Sequence, residues 1–244
     1  MAGYVVEGAR EAGRRLAAGA IGGLACGLVI GGIGGRLAMF LLRLTSGRGV
    51  VGLESDDGFT IGAFTASTMF LLVAASALGA FAGMVYALAR GWLPDRIRHP
   101  ATALLLALVG GAATIHPGGV DFTVLSPRWL AVALFVLLPG TFGFALSRTV
   151  DRLLRRPAGR VLPWVALASS LFLLVVLGFD GVGGMLVLAA VAAVCLLAGV
   201  VRRRWPDGPP LASRAPVVWA ARTVLVAAGV AAAVTLFRSV TAIL

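Results

Sequence analysis

In a 244-residue chain with 10 acids and 2 histidines, few places bring chemically different ionisable groups together. The segment His116-Pro-Gly-Gly-Val-Asp121 is one, and the acids Glu54, Asp56 and Asp57 form another. A histidine oriented by an aspartate can take up a proton, and neighbouring carboxylates can hold a divalent cation. Arg36 and Arg43 are seven residues apart, so they share a face of any helix containing both, within reach of acids folding back from 53–57. Arg128 and Asp180 are expected at the same end. Against a reactive site stands a plainer alternative: short loops are solvated, and their ion pairs are structural. That reading is favoured for the cluster Arg36, Arg43, Glu54, Asp56, Asp57, His116, Asp121 and Asp180.

Other chemistries find too few residues. There is no Gly-x-Ser-x-Gly, no His-Glu-x-x-His and no P-loop in the sequence. His99 and His116 fall at opposite ends of one short apolar run, so they do not share a haem, and two histidines are too few for a multi-histidine zinc centre. The chain contains no lysine, so a retinal Schiff base is excluded. The serines and threonines near the apolar runs (Thr65, Ser67, Thr68, Ser76, Thr114, Ser169 and Ser170) are expected to bond back to their own helices. Cys26 and Cys195 lie within apolar runs and read as small packing residues, not as a disulfide. No cofactor and no metal is expected.

The elements that must position these groups are set by composition. Hydrophobic residues make up 59% of the chain and charged residues 13%, with a mean hydropathy of +0.99. A soluble domain carries about 25% charged residues. A polytopic membrane protein is therefore expected, all-α, because only helices close every backbone hydrogen bond within one segment. The net charge of +11 does not mark a nucleic-acid binder, because the arginines punctuate apolar runs instead of forming a basic domain. No nucleic-acid partner is expected.

A span needs about 20 apolar residues. Seven runs qualify: 16–35, 64–89, 101–120, 129–147, 161–178, 182–201 and 216–237, the fifth and sixth folded at Gly178-Phe179-Asp180-Gly181. Residues 1–15 form a charged leading segment, retained and not a cleaved signal. Fifteen arginines fall on the side of the N-terminus: Arg10, Arg14, Arg15, Arg90, Arg96, Arg98, Arg148, Arg152, Arg155, Arg156, Arg160, Arg202, Arg203, Arg204 and Arg214. Five fall on the other: Arg36, Arg43, Arg48, Arg128 and Arg238. Arg222 sits just inside the last run and can snorkel to the N-terminal side. The positive-inside rule then places the N-terminus in the cytoplasm and the C-terminus outside. Trp92, Trp129, Trp164, Trp205 and Trp219 all lie within a few residues of a span end, where an indole has one side in hydrocarbon and its N–H in water.

Gly19, Gly23, Gly27, Gly31 and Gly35 recur every four residues through the first run, and Gly79 and Gly83 keep the same spacing in the second. Such a glycine zipper predicts close backbone approach, here between spans one and two in preference to a homodimer seam. Two similar stretches, Asp57-Gly-Phe59-Thr60-Ile61 and Asp121-Phe122-Thr123-Val124, each lead into an inward-running span. Those spans end alike, with Asp95-Arg96 and Asp151-Arg152. A copied hairpin would explain this, and coincidence in a biased composition is the favoured explanation.

The Ala/Gly/Arg bias is that of a GC-rich coding sequence and points to a bacterial inner membrane. With no catalytic motif and no soluble module, the expectation is a non-catalytic accessory or assembly component. A small permease or flippase-like carrier is second, and an enzyme with an external site around His116 and Asp121 third. The partners expected are anionic headgroups against the cytoplasmic arginine rim, together with a membrane protein or a second copy of the chain.

Overall fold

The computed structural model describes residues 2–46, 66–155 and 215–244, and every regular element among them is a helix. The first is α1 (Ala2–Cys26), which continues through a π-helical stretch, Gly27–Gly34, into α2 (Gly35–Thr45). Next come α3 (Ala66–Ala89), a 3₁₀ turn (Arg90–Trp92) and α4 (Arg98–Thr114). The short α5 (Val120–Thr123), the long α6 (Arg128–Arg155) and α7 (Ala215–Ile243) complete the set. Four helices are long and apolar enough to cross a membrane: Ala12–Thr45, Thr68–Trp92, Arg128–Arg155 and Ala215–Ile243. The fifth apolar helix, α4, has 17 residues. The expected spans 161–178 and 182–201, with Asp180, Cys195, Trp164 and Trp205, lie outside the described residues.

Three helix boundaries differ from the sequence reading in ways that matter. The first helix does not end at Gly35; it runs ten residues further, to Thr45. The charge of Arg36 does not stop it, because a guanidinium on a long apolar stem can be carried by a helix that finds packing beyond it. Similarly, α6 continues past Ser147 to Arg155, with Arg152 and Arg155 in its last turn, where cations oppose the helix dipole. At the other boundary of interest, α4 stops at Thr114, so His116 lies in a turn and not on the helix.

Glycines set the closest contact. On α1 and the π stretch, Gly19, Gly23 and Gly27 face Gly83, Gly79 and Ala75 of α3. A Cβ on Gly23 would collide with the carbonyl of Gly79, and one on Gly19 with the carbonyl of Gly83. The two backbones therefore touch, which no larger residue permits. A Cβ on Gly31 would meet only the Ala75 methyl, at 3.3 Å, and one on Gly35 the Leu138 side chain of α6, at 3.9 Å. The seam thus spends its first four members on α3, and past the wider π turn Gly35 faces α6. The neighbouring face of α1 packs on α6 through Gly22 against Val150, and through Cys26, whose thiol lies 3.7 Å from the Thr149 hydroxyl. A second tight contact joins α4 to α6, with Gly143 under the Thr102 carbonyl and Gly110 under the Pro139 ring.

The bundle has two distinct ends. At one, Leu42, Ile115, Phe122, Leu125, Ala131, Leu236 and Ile243 form an apolar plug, with Phe122 and Phe135 ring centroids 5.2 Å apart. Ser46 ties the end of α2 to the loop before α6, donating to the Ser126 carbonyl at 3.1 Å and accepting from its N–H at 2.9 Å. Arg128 Nη1 donates to the Ile243 carbonyl at 3.3 Å, which brings the end of α7 to this same face. At the other end Arg14 Nη1 donates to the Leu154 carbonyl at 2.8 Å, and Arg222 Nε, near the start of α7, to the Trp92 carbonyl at 2.7 Å. The first turns of α7 therefore lie beside the 3₁₀ turn and its last turn beside Arg128.

Candidate functional site

Of the expected external cluster, the side chains of Arg36, Arg43 and His116 are described. Glu54, Asp56, Asp57 and Asp180 lie outside the described residues, as does the side chain of Asp121. His116 is exposed, with Nδ1 3.3 Å from the Thr114 carbonyl. A carbonyl can only accept, so Nδ1 carries the proton in that contact. Arg43 is half-buried on α2.

Arg36 is the informative member. The sequence alone puts it at headgroup level. In the fold it lies beside the first half of α6. Its neighbour Gly35 packs on Leu138, ten residues into α6, which is about 15 Å from the Arg128 end at 1.5 Å per residue. Its Nη2 atom is buried. Beside it opens a cavity of about 160 Å³ lined by Gly31, Gly35, Met39, Leu71, Leu138 and Pro139, with the Thr114 hydroxyl at its rim. That hydroxyl is already spent on the Gly110 carbonyl at 2.8 Å, as expected of a helical threonine. The cavity is therefore an apolar space with one cation in its wall. A planar guanidinium in such a wall has the geometry to pair with a carboxylate or phosphate.

A second polar centre, which the sequence reading did not anticipate, lies at the opposite end. Asp151 of α6 is 5% exposed. Its Oδ1 accepts the Tyr86 hydroxyl of α3 at 3.2 Å and lies 3.1 Å from Arg90 Nε. Its Oδ2 accepts Arg98 Nη1 of α4 at 3.3 Å. Arg98 also pairs, through Nη2, with the exposed Asp95. One carboxylate thus joins α3, the 3₁₀ turn, α4 and α6. A signal for it exists in the sequence: Gly143, Leu146, Ser147, Val150, Asp151 and Leu154 are the buried stripe of α6, spaced by three and four. Ending the span at Ser147 cut that stripe before it reached Asp151. The two chain endings that looked alike are also physically different, because Asp95 is exposed and Asp151 buried.

One turn before Asp151, Ser147 lies 3.0 Å from His99 Nδ1. A serine beside a histidine invites a nucleophile–base reading. The same hydroxyl lies 3.0 Å from the Phe144 carbonyl of its own helix, so the histidine and that carbonyl share one serine proton. Ser147 is also fully buried, where no substrate reaches it. This pair stitches α4 to α6.

Ser76, Thr102 and Thr114 all bond back to carbonyls four residues earlier, at 2.6, 2.8 and 2.8 Å. Comparison of the chain with protein-family models, with curated proteins and with solved structures gives no match, so its function has to be read from its own residues.

Proposed function

We propose that this chain is a multi-pass protein of the bacterial inner membrane, with seven spans, its N-terminus in the cytoplasm and its C-terminus outside, acting as a non-catalytic accessory or assembly component. The observation that carries this reading is the wiring of its buried polar groups. Asp151, Tyr86, Arg98, His99 and Ser147 each end on a neighbouring helix, and Ser147 beside His99 is fully buried. These are the bonds of a rigid scaffold. α7 runs parallel to α1, from the Arg14 end to the Ser46 end, which supports an odd number of crossings, and the arginine asymmetry supports the inward N-terminus.

The cavity beside Arg36 favours a second reading, a carrier of small amphiphilic anions. The two are separated by one purification. Extracted in mild detergent from its own host, an accessory component runs in a native gel as a larger assembly with one membrane protein at fixed stoichiometry, and deleting the chain lowers the amount of that protein. A chain that runs alone and, in reconstituted vesicles, moves a fluorescent fatty acid between leaflets in an Arg36-dependent way overturns the accessory reading in favour of the carrier.

A further inference from the structure

We propose that the corner between the 3₁₀ turn and α7 binds the phosphate of an anionic phospholipid, with Arg222 and the Trp92 indole as donors and an acyl chain laid along α7. Arg222 is held from two sides. Its Nε donates to the Trp92 carbonyl at 2.7 Å, and its guanidinium carbon lies 5.5 Å from the centre of the Trp219 ring. Both contacts leave Nη1 and Nη2 without a hydrogen-bond acceptor among the described residues, and neither nitrogen is fully buried. The fork is therefore oriented before any ligand arrives, which is the arrangement that favours a phosphate or carboxylate. The same Trp92 supplies a second donor. Its Nε1–H is buried with no acceptor among the described residues. Buried donors are rarely left so, and an oxygen ligand at this corner would satisfy it.

The surface that continues from this corner is that of a lipid site. Trp219, Val226, Val230, Val234 and Phe237 are 66, 65, 58, 47 and 70% exposed. Spaced by seven, four, four and three, they form a single stripe, and Arg222 lies one turn from both Trp219 and Val226. The stripe spans 18 residues, about 27 Å, close to the ~30 Å depth of the hydrocarbon core. A cation at the head of an apolar track matches a phospholipid and not a free anion. The preference for a negative headgroup comes from the surroundings. Asp95 and Asp151, the acids at this end whose side chains are described, are both already paired with Arg98, whereas Arg96, Arg152 and Arg155 have no acidic partner among the described residues. The inference requires only that α7 sits in a bilayer, and it stands whether the chain is an accessory component or a carrier.

Native mass spectrometry of the full chain, delipidated and titrated with phosphatidylglycerol, tests it. Wild type is expected to retain one lipid after its other lipids are stripped. Trp92→Phe keeps an aromatic ring but removes the N–H, and Arg222→Gln removes the charge; each is expected to weaken that binding about tenfold, as for a hydrogen bond to a charged group. Arg128→Gln, at the far end, should leave it unchanged. Phosphatidylcholine should bind more weakly, and free inorganic phosphate should not compete. Wild-type retention by a folded Trp92→Phe protein overturns the proposal, and this variant decides the matter even if Arg222→Gln does not fold. Equal binding of phosphatidylcholine, displacement by inorganic phosphate, or a protein chain shielding Val226 and Val230 from a lipid-borne photoprobe would each overturn it too.

Discussion

Asp151 holds the arginine-rich end of the bundle because two cations and a hydroxyl, drawn from three other segments, meet on one carboxylate. Removing one partner of a buried ion pair leaves the others uncompensated, at a cost of about 3–5 kcal/mol. Asp151→Asn should therefore lower the detergent melting temperature sharply. The comparison is Asp95→Asn, which breaks an exposed pair with the same Arg98 and should cost no more than about 1 kcal/mol. Similar melting of the two variants would show that the carboxylate is not the junction described. The contrast also shows why this residue was hard to read from sequence. Asp95-Arg96 and Asp151-Arg152 are the same dipeptide, and nothing local distinguishes a solvated acid from one that meets Tyr86. Only the register of α6, carried past Ser147, makes the difference. Arg36 shows a related limit: its place along the bundle depends on how far the helix continues after it and on which part of α6 it meets.

Among the elements, the contact of α1 with α3 was the most legible. A four-residue glycine spacing in two successive apolar runs requires a close crossing, and Gly19, Gly23 and Gly27 do face Gly83, Gly79 and Ala75. What spacing does not show is that the row leaves α3 after Gly31, so that Gly35, beyond the π stretch Gly27–Gly34, faces Leu138 of α6. The seam makes a sharp prediction. Gly79→Val places a side chain inside the backbone of the opposing helix at Gly23 and Gly27. The helices must separate, at a cost above the about 1–3 kcal/mol of ordinary overpacking, seen as lost yield or a lower melting temperature. Gly13→Ala, with nothing within 4 Å of its would-be Cβ, should be neutral or stabilise by about 1 kcal/mol. If both variants behave alike, the two backbones do not touch.

For the whole molecule, composition alone indicated apolar helices, and four are long enough to cross a bilayer. Tertiary bonds add which ends lie together: Ser46, Ser126, Arg128 and Ile243 at one face, Arg14, Leu154, Trp92 and Arg222 at the other. With an inward N-terminus, a cysteine at Ser46 or appended after Leu244 should react with an impermeant maleimide added to intact cells. One at Arg14 should react only after the membrane is opened. Reaction of the first two on opposite sides of the membrane would contradict the shared face, and reaction of Arg14→Cys in intact cells would reverse the orientation. Loop chemistry was the least legible level. His116 and Asp121 are neighbours in sequence, but whether neighbours in a turn become partners depends on the fold around them, and His116 turns to the carbonyl of Thr114.

The Gly23–Gly79 contact has a consequence for biogenesis. The first helix finds its tightest mate in the very next long helix, and α4 finds its own in α6. Each hairpin can close as soon as its second arm leaves the ribosome, without waiting for the remainder of the chain. Among the described residues α7 rests mainly on α4, and as the last of these helices to be made it would dock onto an already standing core.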